Sequence, residues 1–260
     1  MFRQSNFYQF KIESAWNGKG SELYKLNQYQ EAIQCFNKAI SINSKIESAW
    51  NGKGSALYQL NQYQEAIICF NESISINPNF SSLWYNKGKI LYSLKQYQEA
   101  IKCFNEAIAI DPQNEIAWNQ KGRTLYTLKQ YQEALQCYNE AISINHIHSF
   151  AWYNKGNVLK KLKQYQEAIE CYNISIFINP KCDGAFENKG LILNKQQKFM
   201  DALSNFEQAL QLKTTAFRFK YKADSLFELR RQQEAKYFYL VAQGLGLGQN
   251  AYIQNQLSKL

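Results

Sequence analysis

Apolar residues recur along this chain at helical intervals and are interrupted at short, fixed distances. Between Glu47 and Phe80, Trp50, Gly54, Leu57 and Tyr58 fall at i, i+4, i+7 and i+8, one face of a helix. The triplet Leu60-Asn61-Gln62 breaks that pattern; Asn tolerates the left-handed backbone that ends many helices. The pattern resumes over Gln64–Ile76, with Ile67, Phe70 and Ile74 on one line and Ala66 and Ser73 beside it. Asn77-Pro78 stops it, because Pro restrains the residue before it and has no N–H to donate. The stretch predicts two antiparallel helices of about 13 residues, each about 20 Å long.

The same pair recurs. Trp16, Trp50, Trp84, Trp118 and Trp152 follow one another at intervals of 34, and Phe186 takes the next place. Gly20, Gly54, Gly88, Gly122, Gly156 and Gly190 sit four after the aromatic; Ala32, Ala66, Ala100, Ala134, Ala168 and Ala202 sit sixteen after it. Gly inside a helix costs about 1 kcal/mol relative to Ala. Its recurrence predicts a close approach of helices, with the aromatic of the unit filling the space beside it. A period in this range marks a repeat array, in which each unit buries its apolar face against its neighbours. One continuous domain is expected, since only 3 Pro occur and no stretch reads as a linker.

The spacing Trp50, Gly54, Leu57, Ala66, Phe70, Pro78 resembles the tetratricopeptide repeat pattern W-x2-L-G-x2-Y…A-x3-F…P. It recurs in six units, 13–46, 47–80, 81–114, 115–148, 149–182 and 183–215. A divergent seventh over 216–242 carries Phe219, Ala223, Leu226, Ala235, Tyr239 and Ala242. Two departures are visible: the family Leu is Lys in every unit, and the Pro occurs only at Pro78, Pro112 and Pro180. The resemblance implies an all-α fold, a right-handed superhelix (an α-solenoid of antiparallel helix pairs). Residues 1–12 read as the remnant of a preceding repeat, since Phe2, Ser5 and Tyr8 align with Phe36, Ala39 and Ile42. After Gly244, Gly246 and Gly248, residues 243–260 read as a C-terminal cap with a helix over Gln249–Leu260.

Composition changes the picture in a few places. The net charge of +9 and pI near 9.1 favour acidic partners. The surplus lies toward the C-terminal half, with +3 over 149–182 against −2 over 47–80. Cys35, Cys69, Cys103, Cys137 and Cys171 also keep the interval of 34, and Cys182 stands apart. Equivalent positions on stacked helices lie about 10 Å apart, too far for a disulfide, which needs Cα atoms within about 7 Å. Buried free thiols and a reducing compartment are expected. The first residues show no apolar core of a leader, and no run has the roughly 18–20 apolar residues of a membrane span. A cytoplasmic, intracellular location is expected, with nuclear or ciliary locations open.

Catalytic signatures are missing. His146 and His148 sit in an inter-repeat segment without a Cys or carboxylate cluster. No phosphate loop, nucleophile elbow or dinucleotide fingerprint occurs. A non-enzyme without cofactor or metal is expected. Lys19, Lys53, Lys87, Lys121, Lys155, Lys189 and Lys222 form a column in the family Leu place. It reads as stems covering apolar surface with amines reaching water, in preference to a basic ladder.

The resemblance also implies a concave groove lined by the first helices. Its candidate peptide-binding residues are Tyr85, Asn86, Lys89, Asn119, Arg123, Tyr126, Tyr153, Asn154, Asn157, Lys160 and Asn188. Asn carries a donor and an acceptor for peptide backbone, Tyr adds contact area at low entropy cost, and Lys and Arg favour carboxylates. The expected role is a non-catalytic adaptor or scaffold that binds an extended or helical acidic segment of another protein, within a multi-protein complex. Asn86, Asn154 and Asn188 form a column similar to the groove of O-linked N-acetylglucosamine transferase, broken by Gly18, Gly52 and Gln120. The alternative is therefore the targeting region of such an enzyme without its catalytic domain. Chaperone-tail binding is disfavoured. Asn157 and Asn188 match that clamp's two Asn, but Tyr153 and Phe217 replace its Lys and Tyr221 its Arg. Nucleic acid is not expected as the ligand, nor a membrane.

Overall fold

A computed structural model describes residues 2–260, with side-chain surroundings from residue 9 onward. The described residues form helices and no strands. In chain order they are α1 (Phe2–Lys25), α2 (Tyr29–Ile42), α3 (Glu47–Gln59), α4 (Tyr63–Ile76), α5 (Ser81–Ser93), α6 (Tyr97–Ile110) and α7 (Glu115–Thr127). There follow α8 (Tyr131–Ile144), α9 (Ser149–Lys161), α10 (Tyr165–Ile178), α11 (Asp183–Lys195), α12 (Phe199–Leu212), α13 (Ala216–Glu228), α14 (Gln232–Ala242) and α15 (Ala251–Leu257). The chain divides into two compact units, Met1–Gln130 and Tyr131–Leu260. In the first unit α1 packs on α2, α3 on α4 and α5 on α6, while α7 packs on α6. In the second, α9 packs on α10, α11 on α12 and α13 on α14, while α8 packs on α9.

Each helix pair turns the same way. Asn27, Asn61, Lys95, Lys129, Lys163, Gln197 and Arg230 all have φ between 60° and 64°. The next N–H reaches back to the helix, as from Gln62 to the Leu57 carbonyl at 2.9 Å and from Gln164 to Leu159 at 2.9 Å. This is the Schellman ending of a helix, which satisfies carbonyls that would otherwise be orphaned. Asn is well suited to this conformation; Lys and Arg carry its steric cost of about 1–2 kcal/mol.

Within a pair, the glycine of the first helix faces a ring of the second. A Cβ on Gly54 would lie 3.0 Å from the Phe70 ring, and one on Gly88 2.6 Å from Phe104. Gly156 meets Tyr172 and Gly190 meets Phe206 in the same way, each at 2.7 Å. The ring that fills the space therefore comes from the second helix, not from the Trp four residues before the glycine. These rings are buried.

The Trp column has a different task. The indole N–H of Trp50 donates to the Ser44 carbonyl at 2.9 Å, Trp84 to Pro78 at 2.9 Å, Trp118 to Pro112 at 3.1 Å and Trp152 to His146 at 2.9 Å. Each bond pins the segment entering a helix pair. The Lys column sits on the same rings. The ammoniums of Lys19, Lys53, Lys87, Lys121 and Lys155 lie 5.2–5.6 Å from the ring centroid of the Trp three residues earlier. Such cation–π contacts contribute about 0.5–1 kcal/mol each at exposed sites. The amines are thus held on rings, a contact that stem packing alone does not include. His148 caps α9, its Nδ1 accepting from the Ala151 N–H at 3.2 Å. All six Cys are buried and free, and burial pushes the thiols of Cys69, Cys103 and Cys171 up to about 11.

The two ends differ from the repeats. Residues 2–12 are continuous with 13–25 in α1, so the expected remnant does not form a separate helix; Phe2, Ser5 and Tyr8 lie outside the residues whose side chains are described. At the other end the segment Gln243–Leu247 is a π-helical turn in which Gly246 has φ 115°, a conformation that favours glycine. It leads to α15, whose Ile253 is fully buried against Tyr239, Ala242 and Leu226. None of the described helices is long and apolar enough to cross a membrane.

The ring-and-glycine contact predicts opposite signs for two chemically identical substitutions. Gly88→Ala forces a methyl into the Phe104 ring and should destabilise the chain by about 1–3 kcal/mol. Gly18→Ala meets nothing within 4 Å and should stabilise by about 0.5–1 kcal/mol through helix propensity. Urea denaturation followed by far-UV circular dichroism measures both.

Candidate functional site

The candidate residues lie on first helices and fall into one set per unit. In the first unit Tyr85, Asn86 and Lys89 are on α5, and Asn119, Arg123 and Tyr126 are on α7. The Lys89 ammonium is held 5.0 Å above the Tyr58 ring and 5.6 Å from Tyr85. Arg123 lies 4.4 Å over Tyr92, and the Tyr92 hydroxyl meets Thr127 at 3.3 Å. Asn86 and Lys89 edge a small recess of about 40 Å³ with Tyr58, Ser55 and Tyr24. Burial raises the Tyr85 phenol above its ordinary value, partly offset by a hydrogen bond with Gln120. Asn119 is buried at 8% exposure, beneath this surface, while Tyr126 is half-buried on α7 and Arg123 is exposed.

In the second unit four of the five candidates form one hydrogen-bonded chain across α9 and α11. Lys160 Nζ donates to Asn188 Oδ1 at 2.5 Å. Asn188 Nδ2 donates to Asn157 Oδ1 at 2.8 Å and is 3.4 Å from the Tyr153 hydroxyl. The Tyr172 hydroxyl also donates to Asn157 Oδ1, at 2.9 Å. The order of donors is forced. An ammonium can only donate, so the Asn188 oxygen faces Lys160 and its NH₂ faces Asn157. The Asn157 oxygen is then held by two donors, and a hydrogen bond between Asn157 and the Tyr153 phenol opposes the rise that burial imposes on that phenol. Asn154, the fifth, is half-buried on α9. Burial lowers the Lys160 pKa from its usual value, and Lys161 beside it lowers it further.

Two residues that organise this region, Arg218 and Tyr172, were not singled out by sequence. Arg218 on α13 is 4% exposed. Its Nε donates to Glu187 Oε2 at 2.7 Å, Nη2 to Asp183 Oδ2 at 2.6 Å, and Nη1 to the carbonyls of Ala209 at 3.0 Å and Lys213 at 2.7 Å. One buried guanidinium thus ties α11, the end of α12 and α13 together. The signal was present: Arg218 stands at the place held by the buried Ala117, Ala151 and Ala185 in earlier repeats. Tyr172 is the other missed residue. The second-helix ring is Phe in four repeats and Tyr at 138, 172 and 239. At Tyr172 and Tyr239 the hydroxyl reaches a polar first-helix residue, Asn157 and Asp224 respectively.

Two recesses flank the Asn157–Asn188 pair. One, of about 430 Å³, opens between Phe150, Tyr153, Asp183, Glu187 and Arg218 near the starts of α9 and α11. The other, of about 280 Å³, lies at their ends between Lys160, Lys161, Tyr165 and Lys195. Lys195 Nζ donates to the Tyr165 hydroxyl at 2.6 Å.

The tetratricopeptide repeat family profile matches residues 14–46, 48–80, 81–114, 116–148 and 149–182, well over half of the chain. A comparison with curated proteins finds no match. Among solved structures, PilF of Pseudomonas aeruginosa is similar over 82% of this chain and 97% of its own, with TM-score 0.74 and 19% identity. A tetratricopeptide repeat protein of Parabacteroides merdae is similar over 95% and 98%, with TM-score 0.70 and 15% identity. YrrB, described as having an unusual peptide-binding site, is similar over 76% and 97%, with TM-score 0.57 and 20% identity.

The Arg218 cluster makes a pH-dependent prediction. Burial alone would raise the Asp183 carboxyl, but the Arg218 hydrogen bond and charge outweigh it and hold it below the usual value. A depressed carboxyl stabilises the fold above the unfolded-state pKa of about 3.9, and that stabilisation is lost as pH falls through the folded value. Arg218→Met should cost about 3 kcal/mol at pH 7, near the lower end for breaking a buried pair because both carboxylates keep contact with water. The loss should shrink on acidification below pH 4, read from urea midpoints of both proteins.

Proposed function

The chain belongs to the tetratricopeptide repeat family, and from that premise we propose that it is a non-catalytic adaptor holding a segment of another protein against its first helices. Members of the family bind other proteins and are generally non-catalytic. The observation that carries the reading is the oriented chain Lys160–Asn188–Asn157–Tyr172. It holds the polar side chains of α9 and α11 in set orientations, with the Lys160 ammonium at one end of the chain of bonds. A surface of amides and ammoniums suits peptide backbone and carboxylates. In the first unit, Lys89 and Arg123 on Tyr faces supply cations already held in place, which lowers the entropy cost of binding.

The preferred partner is therefore an extended or helical acidic segment, within a larger assembly of proteins. Six buried free thiols suit a reducing compartment such as the cytoplasm.

An affinity pull-down from the source cell tests this, run with wild type and an Asn154→Ala/Asn157→Ala/Lys160→Ala variant whose fold is checked by circular dichroism. Proteins retained by wild type should fall at least tenfold with the variant, and their retention should weaken as salt rises. Equal retention by both would sink the reading.

A further inference from the structure

We propose that the second unit grips a segment with two charges in a set order: a basic side chain near Asp183 and Glu187, and an acidic one near Lys160, Lys161 and Lys195. The inference rests on the binding surface proposed above and adds to it a charge pattern that a uniformly acidic partner lacks.

The larger recess is built for a cation. Its floor is the pair Asp183 and Glu187, with 34% and 27% of their side chains exposed. Arg218 beneath them is 4% exposed and donates inward to two carboxylates and two carbonyls. Each ionised carboxylate has about four lone-pair sites, and Arg218 uses one oxygen of each. What faces the opening is carboxylate oxygen. The walls are Tyr153 and Phe150, the latter 59% exposed, and aromatic faces attract cations. Lys181 also borders the recess but is exposed to water, where its pairing with the acids contributes little. A volume of about 430 Å³ accommodates an Arg or Lys side chain.

The smaller recess has the opposite character. Lys160, Lys161 and Lys195 line it with Tyr165, Leu191 and Ile192, and no carboxylate does. Burial and then Lys161 hold Lys160 below its usual pKa, with Glu187 acting in the opposite sense; a carboxylate arriving among the three lysines adds to that favourable charge. Between the recesses lies the Asn157–Asn188 pair, joined to each other and to Lys160.

Both recesses are formed largely by the same two helices, which fixes their separation. Glu187 and Asp183 are eight and twelve residues before Lys195, roughly 12–18 Å along a helix. An extended peptide advances about 3.3 Å per residue. The basic and acidic residues of the partner should thus stand about four to five positions apart.

The test is selection from a phage-displayed library of random dodecapeptides on the immobilised full chain. Wild type should enrich peptides with Arg or Lys about four to five positions from Asp or Glu. Selection on Phe150→Ser should lower the frequency of the basic residue at least fivefold and keep the acidic one; Lys161→Glu should do the reverse. Both positions are exposed, so the fold is retained, and Glu187→Gln repeats the first result with a conservative change. Enriched peptides that lack the basic residue, or ignore Phe150→Ser, yet are lost on Asn157→Ala, would overturn the charge order and leave the binding surface standing. Peptides indifferent to all four variants, or no enrichment at all, would overturn both.

Discussion

The fold depends on one contact repeated along the chain, a ring on the second helix lying where the first helix has no side chain. Van der Waals packing tolerates no free choice there: a methyl on the glycine would stand within about 3 Å of ring carbons at Gly20, Gly54, Gly88, Gly156 and Gly190. The glycine's cost in helix propensity, about 1 kcal/mol, is offset by burying a whole aromatic side chain, worth about 1.5–3 kcal/mol. The contact also fixes the rotation of the first helix about its own axis. With the glycine turned inward, the residue one position past it, Ser55, Lys89 or Asn157, takes its place on the adjoining polar face.

That geometry couples core to site. Where the ring is Phe, as at Phe70 and Phe104, it ends in carbon and serves packing alone. Where it is Tyr172, the same ring carries a hydroxyl out of the core to Asn157. A single oxygen atom thereby holds an Asn whose amide is part of the candidate surface, and Lys160 at the other end of the chain of bonds dictates which way each amide turns. Side chains so held lose little entropy when a ligand arrives. Arg218 acts on a larger scale, replacing a buried Ala and presenting Asp183 and Glu187 at fixed places.

Much of the fold was legible in the sequence because it rests on periodicity. The Trp and Gly columns locate every helix pair from α3–α4 to α11–α12, and Asn61 foretells the turn at φ 60°. Less legible was which ring meets the glycine, since both Trp50 and Phe70 lie in the same repeat and only packing separates their tasks. The continuity of α1 was hidden because alignment of Phe2 with Phe36 speaks of side-chain pattern, not of where a helix ends. For the candidate site, sequence named first-helix residues of α9 and α11 that the structure brings together, but not their neighbours across the pair. Asn119 was read as a surface residue and is buried. The Arg218 cluster escaped notice because its meaning is tertiary: a charged residue at an Ala position is an anomaly until its partners Asp183 and Glu187 are seen beside it.

The most direct measurement of whether these first-helix faces are the working surface is site-specific photo-crosslinking in the source cell. Benzoylphenylalanine would be placed in turn at Tyr85, at Tyr153 and at Phe177, a second-helix position 87% exposed. If the first helices bind the partner, covalent adducts of one defined mass form at Tyr85 or Tyr153 and not at Phe177. Adducts at Phe177 alone would contradict the assignment and move the interaction to the second helices.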